Sequence, residues 1–182
     1  MIRAIVMGGA VTAWTDLNMV RAWGIDDALI VATNHAARDY PGTVHHWVTF
    51  HPELLPRWIA DREAGGRAPA ENYWTGIRRL KPPCIDKMNV VENWGGSSGL
   101  LAVTVAMELK ADRIICCGTP INPEMGHYDN SKPWADGGNY RRAWLRRVDH
   151  MRDRVRSCSG WTRDLLGAPD EDWWNGPDQD HH

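Results

Sequence analysis

A glycine- and serine-rich segment at residues 93–100 constrains the fold of this chain more than any other feature. It reads Asn-Trp-Gly-Gly-Ser-Ser-Gly-Leu, follows a short apolar run at 89–91 and opens a helical pattern at 100–109. A second apolar run, residues 113–117, comes directly afterwards. This order predicts a strand, a tight turn, a helix and another strand, which together make a compact βαβ unit.

The turn in this unit has the composition of an anion-binding site. It places backbone N–H groups and the hydroxyls of Ser97 and Ser98 at a helix N-terminus, where partial positive charge favours a phosphate or carboxylate. Gly95 and Gly96 let a ligand approach the backbone with no Cβ in the way. The alternative interpretation is that Ser97 or Ser98 is an ordinary N-cap and the glycines form only a tight turn. The turn matches neither GxGxxG nor the P-loop pattern.

Strands alternate with helices along most of the chain. This alternation predicts one doubly wound, mostly parallel, Rossmann-like α/β sheet with helices on both faces, spanning a single domain at 1–168. The third strand is more polar than the others and is expected near an edge, and residues 64–86 are expected to form a long surface excursion. The predicted strands are 2–7, 28–32, 44–50, 89–91, 113–117 and 154–157, and the predicted helices are 15–24, 52–63, 100–109, 138–153 and 159–166. The surface excursion is expected to contain at most one short helix, at 73–80.

Composition excludes several classes of protein. The net charge is −2 and the pI is about 6.4, which argues against a general nucleic-acid-binding surface. The chain has neither a signal peptide nor an apolar run long enough to span a bilayer, so no membrane association is expected. Its four cysteines show no CxxC spacing, and a reducing, cytoplasmic setting is therefore expected.

The last residues, 169–182, form an acidic tail that carries two tryptophans. This composition predicts a flexible segment, and Trp173 and Trp174 would offer a protein partner a docking contact. The alternative is that the tail folds back onto its own domain.

Ligands of open parallel sheets bind beyond the carboxyl ends of the strands, where the strand order reverses. That rule selects the residues that follow each predicted strand, and it brings the bend at 8–9 and the bend at 95–96 to one crevice. The selected binding residues are Gly8, Gly9, Asn34, Asn93, Gly95, Gly96, Ser97, Ser98, Gly118 and Thr119.

The residue types at these positions narrow the chemistry. A dinucleotide redox cofactor is not expected, because the first turn lacks GxGxxG and the second strand ends at Asn34 rather than at an acidic residue. Histidines carry protons near neutral pH, and His35, His51 and His127 all follow predicted strands. Of these, His51 and His127 are assigned as catalytic candidates. No metal-binding residues are assigned, because no established zinc spacing is present.

The bend at 8–9, the strand that ends at Asn34 and especially the segments 95–102 and 118–122 resemble the Rossmann-like proteins grouped with archaeal 6-hydroxymethylpterin diphosphokinases and with flagellin-glycosylation accessory factors. A similar unit occurs in bacterial CMP-sialic-acid sialyltransferases, and compact single-domain relatives look like phage-borne proteins. The chain departs from the family pattern at three places. Its first turn lacks the longer GxGPS sequence, His51 stands where an acidic residue is expected, and the turn beginning at Gly118 lacks an aspartate.

The resemblance implies a nucleotide-binding transferase that moves a glycosyl or diphosphate group from a nucleotide donor to a hydroxyl acceptor. Gly8, Gly9 and the 95–99 turn would hold the donor phosphates, Asn34 and Asn93 would contact the ribose or base, and His127 or His51 would take the acceptor proton. The ligand would be a nucleotide or nucleotide-sugar, with Mg²⁺ as the candidate cofactor and a homo-oligomer as one alternative for the assembly. The missing aspartates favour a second interpretation, a non-catalytic nucleotide-binding or structural accessory protein.

Overall fold

The chain folds around one parallel β-sheet. The computed structural model describes residues 1–25, 27–77, 82–122, 124–129 and 137–176. Within them seven strands pair in the order β5-β4-β3-β2-β1-β6-β7, and every neighbouring pair is parallel. The strands are β1 (Arg3–Met7), β2 (Leu29–Thr33), β3 (His46–Thr49), β4 (Asn72–Thr75), β5 (Met88–Val90), β6 (Arg113–Cys117) and β7 (Val155–Ser157).

The strand order reverses at β1, which confirms the predicted doubly wound, Rossmann-like sheet. The chain runs outward from β1 to β5, and helix α4 then brings it back across the sheet to β6 on the other side of β1. A ligand crevice is therefore expected between the carboxyl ends of β1 and β6. The helices are α1 (Ala13–Arg21), α2 (Asn34–Asp39), α3 (Leu55–Ala64, preceded by a 3-10 turn at Pro52–Leu54), α4 (Ser98–Glu108), α5 (Gly137–Met151), α6 (Gly160–Leu166) and α7 (Glu171–Asn175).

Side chains of the sheet divide into two hydrophobic clusters, as strand alternation requires. Ile5 and Met7 of β1 belong to one cluster, which includes buried residues of α1, α2 and α3. Ala4 and Val6 belong to the other, which includes residues of α4, α5 and α6. Helix α4 is apolar on nearly all sides because it is covered by the sheet and by its neighbours, and its residues from Gly99 to Ala106 are buried.

Three elements differ from the sequence predictions. Residues Asn72–Thr75 form strand β4, where a helix at 73–80 was predicted; residues 78–80 lie outside the described part of the chain. Strands β4 and β5 lie between β3 and the edge of the sheet. Strand β3 is therefore an interior strand with all four residues buried, and the predicted edge position is wrong. Helix α2, immediately after β2, was not predicted, because six residues are too few to show a helical period.

Part of the acidic tail, residues Glu171–Asn175, forms a helix that packs against the domain. Helix α7 begins after Asp170, whose carboxylate accepts a hydrogen bond from the N–H of Trp173 at 2.7 Å. Trp174 is only 1% exposed and belongs to the core, while the Trp173 ring lies 5.0 and 5.1 Å from the guanidinium groups of Arg113 and Arg156. The tail therefore folds back on its own domain over these residues, and Trp174 is not available to a partner. Residues 177–182 lie outside the described chain.

Across the described residues, none of the helices combines the length and the apolar character that crossing a membrane requires.

We predict that Trp174→Ala destabilises the protein by about 3–5 kcal/mol, because it empties a fully buried site in the core. Leu145→Ala is the matched control, since Leu145 is 51% exposed on α5, and it should change the free energy of unfolding by less than about 0.5 kcal/mol. Denaturant unfolding of both variants measures the difference. Equal, small effects would show that α7 is not packed as described.

Candidate functional site

A cavity of about 540 Å³ opens at the carboxyl ends of the strands. All the sequence-predicted site residues line it except Asn93 and Gly95, so the structure brings the two glycine bends together. Gly95 comes directly before the lining residue Gly96 in the chain, and its N–H donates to the side-chain oxygen of Asn93 at 2.7 Å. Lining residues that were not assigned from the sequence are Thr33, His35, Phe50, Leu54, Trp58, Gly99, Ile121 and Tyr140.

The floor of the crevice is a direct backbone contact between the turns after β1 and β6. A Cβ on Gly8 would lie 2.2 Å from the carbonyl oxygen of Gly118, so no other residue fits at this position. Gly118 has a φ of +67°, and its N–H donates to the carboxylate of Asp16 on α1 at 2.9 Å. The hydroxyl of Ser159 donates to the same carboxylate at 2.7 Å. The buried carboxylate therefore fastens the turn after β6 in place.

The turn before α4 forms the facing wall. Gly95 and Gly96 both adopt left-handed backbone conformations, with φ of +79° and +77°. Ser97 is the N-cap of α4, and its hydroxyl accepts from the N–H of Leu100 at 3.4 Å and from the indole N–H of Trp144 at 3.4 Å. The capping interpretation of Ser97 is therefore correct. Because the hydroxyl of Ser97 is engaged in this cap, the backbone of the bend is the part of this wall that is open to a ligand.

Thr119 packs between the two bends. Its methyl group lies 2.6 Å from the Cβ position of Gly8 and 2.9 Å from that of Gly99. Glycines at both positions make room for this methyl. Thr119 therefore shapes the crevice through its methyl group.

Asn34 ties three elements together at the crevice. Its side-chain oxygen accepts from the hydroxyl of Thr49 at the end of β3 (2.8 Å), and its amide nitrogen donates to the hydroxyl of Ser98 on α4 (3.3 Å). Asn34 also has a φ of +43°, and the crevice residue Ile121 has a φ of +49°. A left-handed conformation is strained for a β-branched residue such as Ile121. Strain of this kind persists where surrounding structure enforces it, and it concentrates at functional sites.

Three histidines reach the crevice, each in a different setting. The backbone of His127 bridges to Ala10, and its ring lies over the β1 bend, with Nδ1 3.2 Å from the Cβ position of Gly9. His51 is half-exposed at the rim, 3.3 Å from the carboxylate of Glu53. His35 lies in the first turn of α2, with its Nδ1 2.5 Å from the carboxylate of Asp129.

A network of polar side chains holds the loop after β6 against α2. The Tyr128 hydroxyl donates to Asp39 at 2.6 Å, and Arg38 donates to both oxygens of the same carboxylate at 2.7 Å. Burial acts to raise the pKa of Asp39, but these hydrogen bonds outweigh it, so the pKa lies below its ordinary value. Burial has the opposite effect on a histidine: it lowers the pKa of His35, and the nearby Asp129 carboxylate opposes this effect in part.

The crevice contains no acidic lining residue among those the structure describes, while it contains three histidines. An anionic ligand would therefore meet backbone amides, a helix N-terminus and imidazoles without a facing carboxylate.

In the described part of the chain, no three His, Cys, Asp or Glu side chains are grouped to hold a metal ion. The carboxylate of Glu124 accepts a hydrogen bond from the side-chain amide of Asn122 at 2.8 Å.

Comparison of the chain with models of known protein families, with curated proteins and with solved structures found no match. The resemblance to pterin diphosphokinases and sialyltransferases therefore stays a prediction.

We predict that Gly96→Ala costs more stability than Gly95→Ala. Both residues have nearly the same positive φ, so both alanines carry the left-handed penalty of about 1–2 kcal/mol. Only at Gly96 would the added Cβ also collide, 2.8 Å from the Cβ of Ala143; the Gly95 position is open. Urea unfolding of the two variants measures the difference. Indistinguishable losses would contradict the placement of the bend against α5.

We also predict a pH dependence from His35. Its pKa in the folded protein lies below the ordinary value of 6.5, so the unfolded chain takes up the proton first as pH falls. His35 therefore lowers the free energy of unfolding as pH drops below 6.5, and it has no effect well above that pH. Unfolding measured between pH 7.5 and 5.5 should show a shallower decline in His35→Gln than in the wild type. A steeper decline in the variant would mean that the sign is wrong.

Proposed function

We propose that this protein is a nucleotide-binding transferase that moves a glycosyl or diphosphate group from a nucleotide donor to a hydroxyl acceptor. The observation that carries the proposal is the convergence of two glycine bends and the N-terminus of α4 on one crevice at the switch point of a parallel sheet. This is the position where open α/β sheets bind their ligands.

The crevice has two chemically different ends, and both match parts of a nucleotide. The end formed by Gly9, Gly96 and the start of α4 has backbone N–H groups beside the positive end of the α4 dipole, which suits phosphate groups. The other end is lined by Phe50, Leu54 and Trp58, whose apolar and aromatic side chains suit the flat face of a base. A volume of about 540 Å³ is in the range of cavities that hold small molecules.

The crevice also offers groups for transfer to a hydroxyl. A histidine beside the bound donor would take the proton of the acceptor hydroxyl, and His127, His51 and His35 all line the cavity. Fixed backbone donors would hold the phosphates in one orientation relative to that histidine, which reduces the entropy lost on the way to the transition state.

A non-catalytic nucleotide-binding or accessory protein is the second candidate. Two observations favour it. The side chains of Asn34 and Ser97 are engaged in hydrogen bonds within the protein, and none of the described residues that line the crevice is a carboxylate that could recruit Mg²⁺ to the donor phosphates. Such a protein would bind the same nucleotides without turnover.

We predict that one nucleotide among CMP, a UDP-sugar, GTP and ATP raises the melting temperature. At a ligand concentration 100 times its Kd the stabilisation is about 2.7 kcal/mol, or about 5–10 °C for a domain of this size. Gly96→Val should abolish the shift because its Cβ would collide with the Cβ of Ala143, 2.8 Å away, and would move the bend out of its place in the crevice wall. Gly138→Ala is the matched control, since its added Cβ meets nothing within 4 Å and it lies outside the crevice.

Absence of stabilisation by every nucleotide would reject the transferase and the nucleotide-binding accessory protein, and it would leave only a structural accessory role. A shift that is retained in Gly96→Val would place the ligand elsewhere. Stabilisation without transfer to any hydroxyl acceptor would favour the accessory protein over the transferase.

A further inference from the structure

We infer that His35, oriented by Asp129, is the crevice group that takes the proton from the acceptor hydroxyl. The inference rests on the proposed transferase function, and it assigns the proton transfer to a residue pair rather than to His127 or His51.

The first argument is the geometry of the pair. Asp129 lies 2.5 Å from Nδ1 of His35, so the proton of a neutral imidazole resides on Nδ1, where the carboxylate accepts it. The other ring nitrogen, Nε2, is then the basic one, and among the residues that the structure describes no hydrogen-bond partner of Nε2 is found. An imidazole held by a carboxylate in this way is the standard arrangement of a general base.

The second argument is that both members of the pair are held in place. The ring of His35 packs edge-on against Trp58, with ring centroids 5.1 Å apart. Asp129 follows Tyr128, whose hydroxyl donates to Asp39 at 2.6 Å and whose N–H donates to the carbonyl oxygen of Gly9 at 3.0 Å. The loop that carries the carboxylate is therefore fixed to both α2 and the β1 bend, and a positioned base loses little entropy during the reaction.

The third argument is the contrast with the other two histidines. His51 is 56% exposed, and its partner Glu53 is equally exposed at 3.3 Å, so solvent weakens their interaction. The ring of His127 lies over Gly9, at the phosphate end of the crevice, where it suits contact with the donor. His35 lies next to Trp58 instead, and burial lowers its pKa so that it is neutral and able to accept a proton at pH 7.

In the resulting step, the acceptor O–H bond breaks and its proton passes to Nε2 of His35. The acceptor oxygen forms a bond to the electrophilic carbon or phosphorus of the donor. The bond from that atom to the nucleotide phosphate oxygen breaks, and its electron pair leaves with the nucleotide. The imidazolium then returns the proton to solvent, and Asp129 remains a carboxylate throughout.

The first test is independent of turnover and uses the wild-type protein. Diethyl pyrocarbonate acylates an unprotonated, accessible imidazole nitrogen, and mass spectrometry locates the product. We expect His35 to react at pH 7 and to be protected by the nucleotide that raises the melting temperature. A His35 that stays unmodified while His51 reacts would overturn the inference, because Nε2 would then not face the crevice.

The second test measures transfer. His35→Gln should lower kcat at least about 100-fold while it keeps the nucleotide-induced rise in melting temperature. His150→Gln on α5, whose side chain does not line the crevice, should retain wild-type kcat. If the wild type transfers the group and His35→Gln has the same kcat, only the role of His35 is overturned. A wild type that transfers to no acceptor would overturn the proposed transferase, and the proton-acceptor role with it.

Asp129 is a positioning residue, and its variant has a distinct signature. The charged groups that act on His35 are Arg38, Asp39, Asp129 and, when protonated, His127; of these, the Asp129 carboxylate raises its pKa most. Asp129→Asn should therefore move the acidic limb of the kcat profile to lower pH, besides lowering its maximum. An acidic limb that does not move would contradict the assignment of His35 as the base.

Discussion

The structure depends on one close backbone contact, the approach of Gly8 to the carbonyl oxygen of Gly118 at the switch point of the sheet. Because neither residue has a Cβ, the turns after β1 and β6 meet directly, with a hydrogen bond of 2.8 Å from Gly8 N–H to the carbonyl oxygen of Cys117. A side chain at either position would separate the turns. Asp16 then locks the Gly118 turn from the α1 side, and the crevice above it has a rigid floor made of backbone.

Much of the sheet was predictable because its central strands are buried on both faces. Strands β1, β2 and β6 are continuous apolar runs, and such runs are visible in the sequence alone. Strand β4 was missed because Asn72–Thr75 is polar and aromatic, and it becomes a strand only through pairing with β3 and β5. Because β4 was missed, β3 was predicted to lie near an edge of the sheet. Helix α7 was missed because the acidic residues around Trp174 dominate the composition there.

The candidate site was predictable to the extent that it follows from topology. The rule that ligands bind beyond the carboxyl ends of parallel strands selected both bends, and the structure places both in one cavity. The contact between His35 and Asp129 was not predictable, because it joins α2 to a loop far along the chain. The roles of Asn34 and Ser97 could not be separated into ligand binding and capping, because both roles use the same hydrogen-bonding groups.

In the proposed function, backbone amides of the two bends, rather than charged side chains, bind the phosphates of a nucleotide. The most direct measurement is the change in backbone amide chemical shifts of ¹⁵N-labelled protein during titration with a nucleotide and, separately, with its nucleoside. We expect the nucleotide to shift the amides of Gly9 and Gly96, and the nucleoside to move them much less; the amides of Gly8 and Gly118 already donate to Cys117 and Asp16 within the protein. Equal shifts with both ligands, or shifts confined to residues outside the crevice, would contradict it.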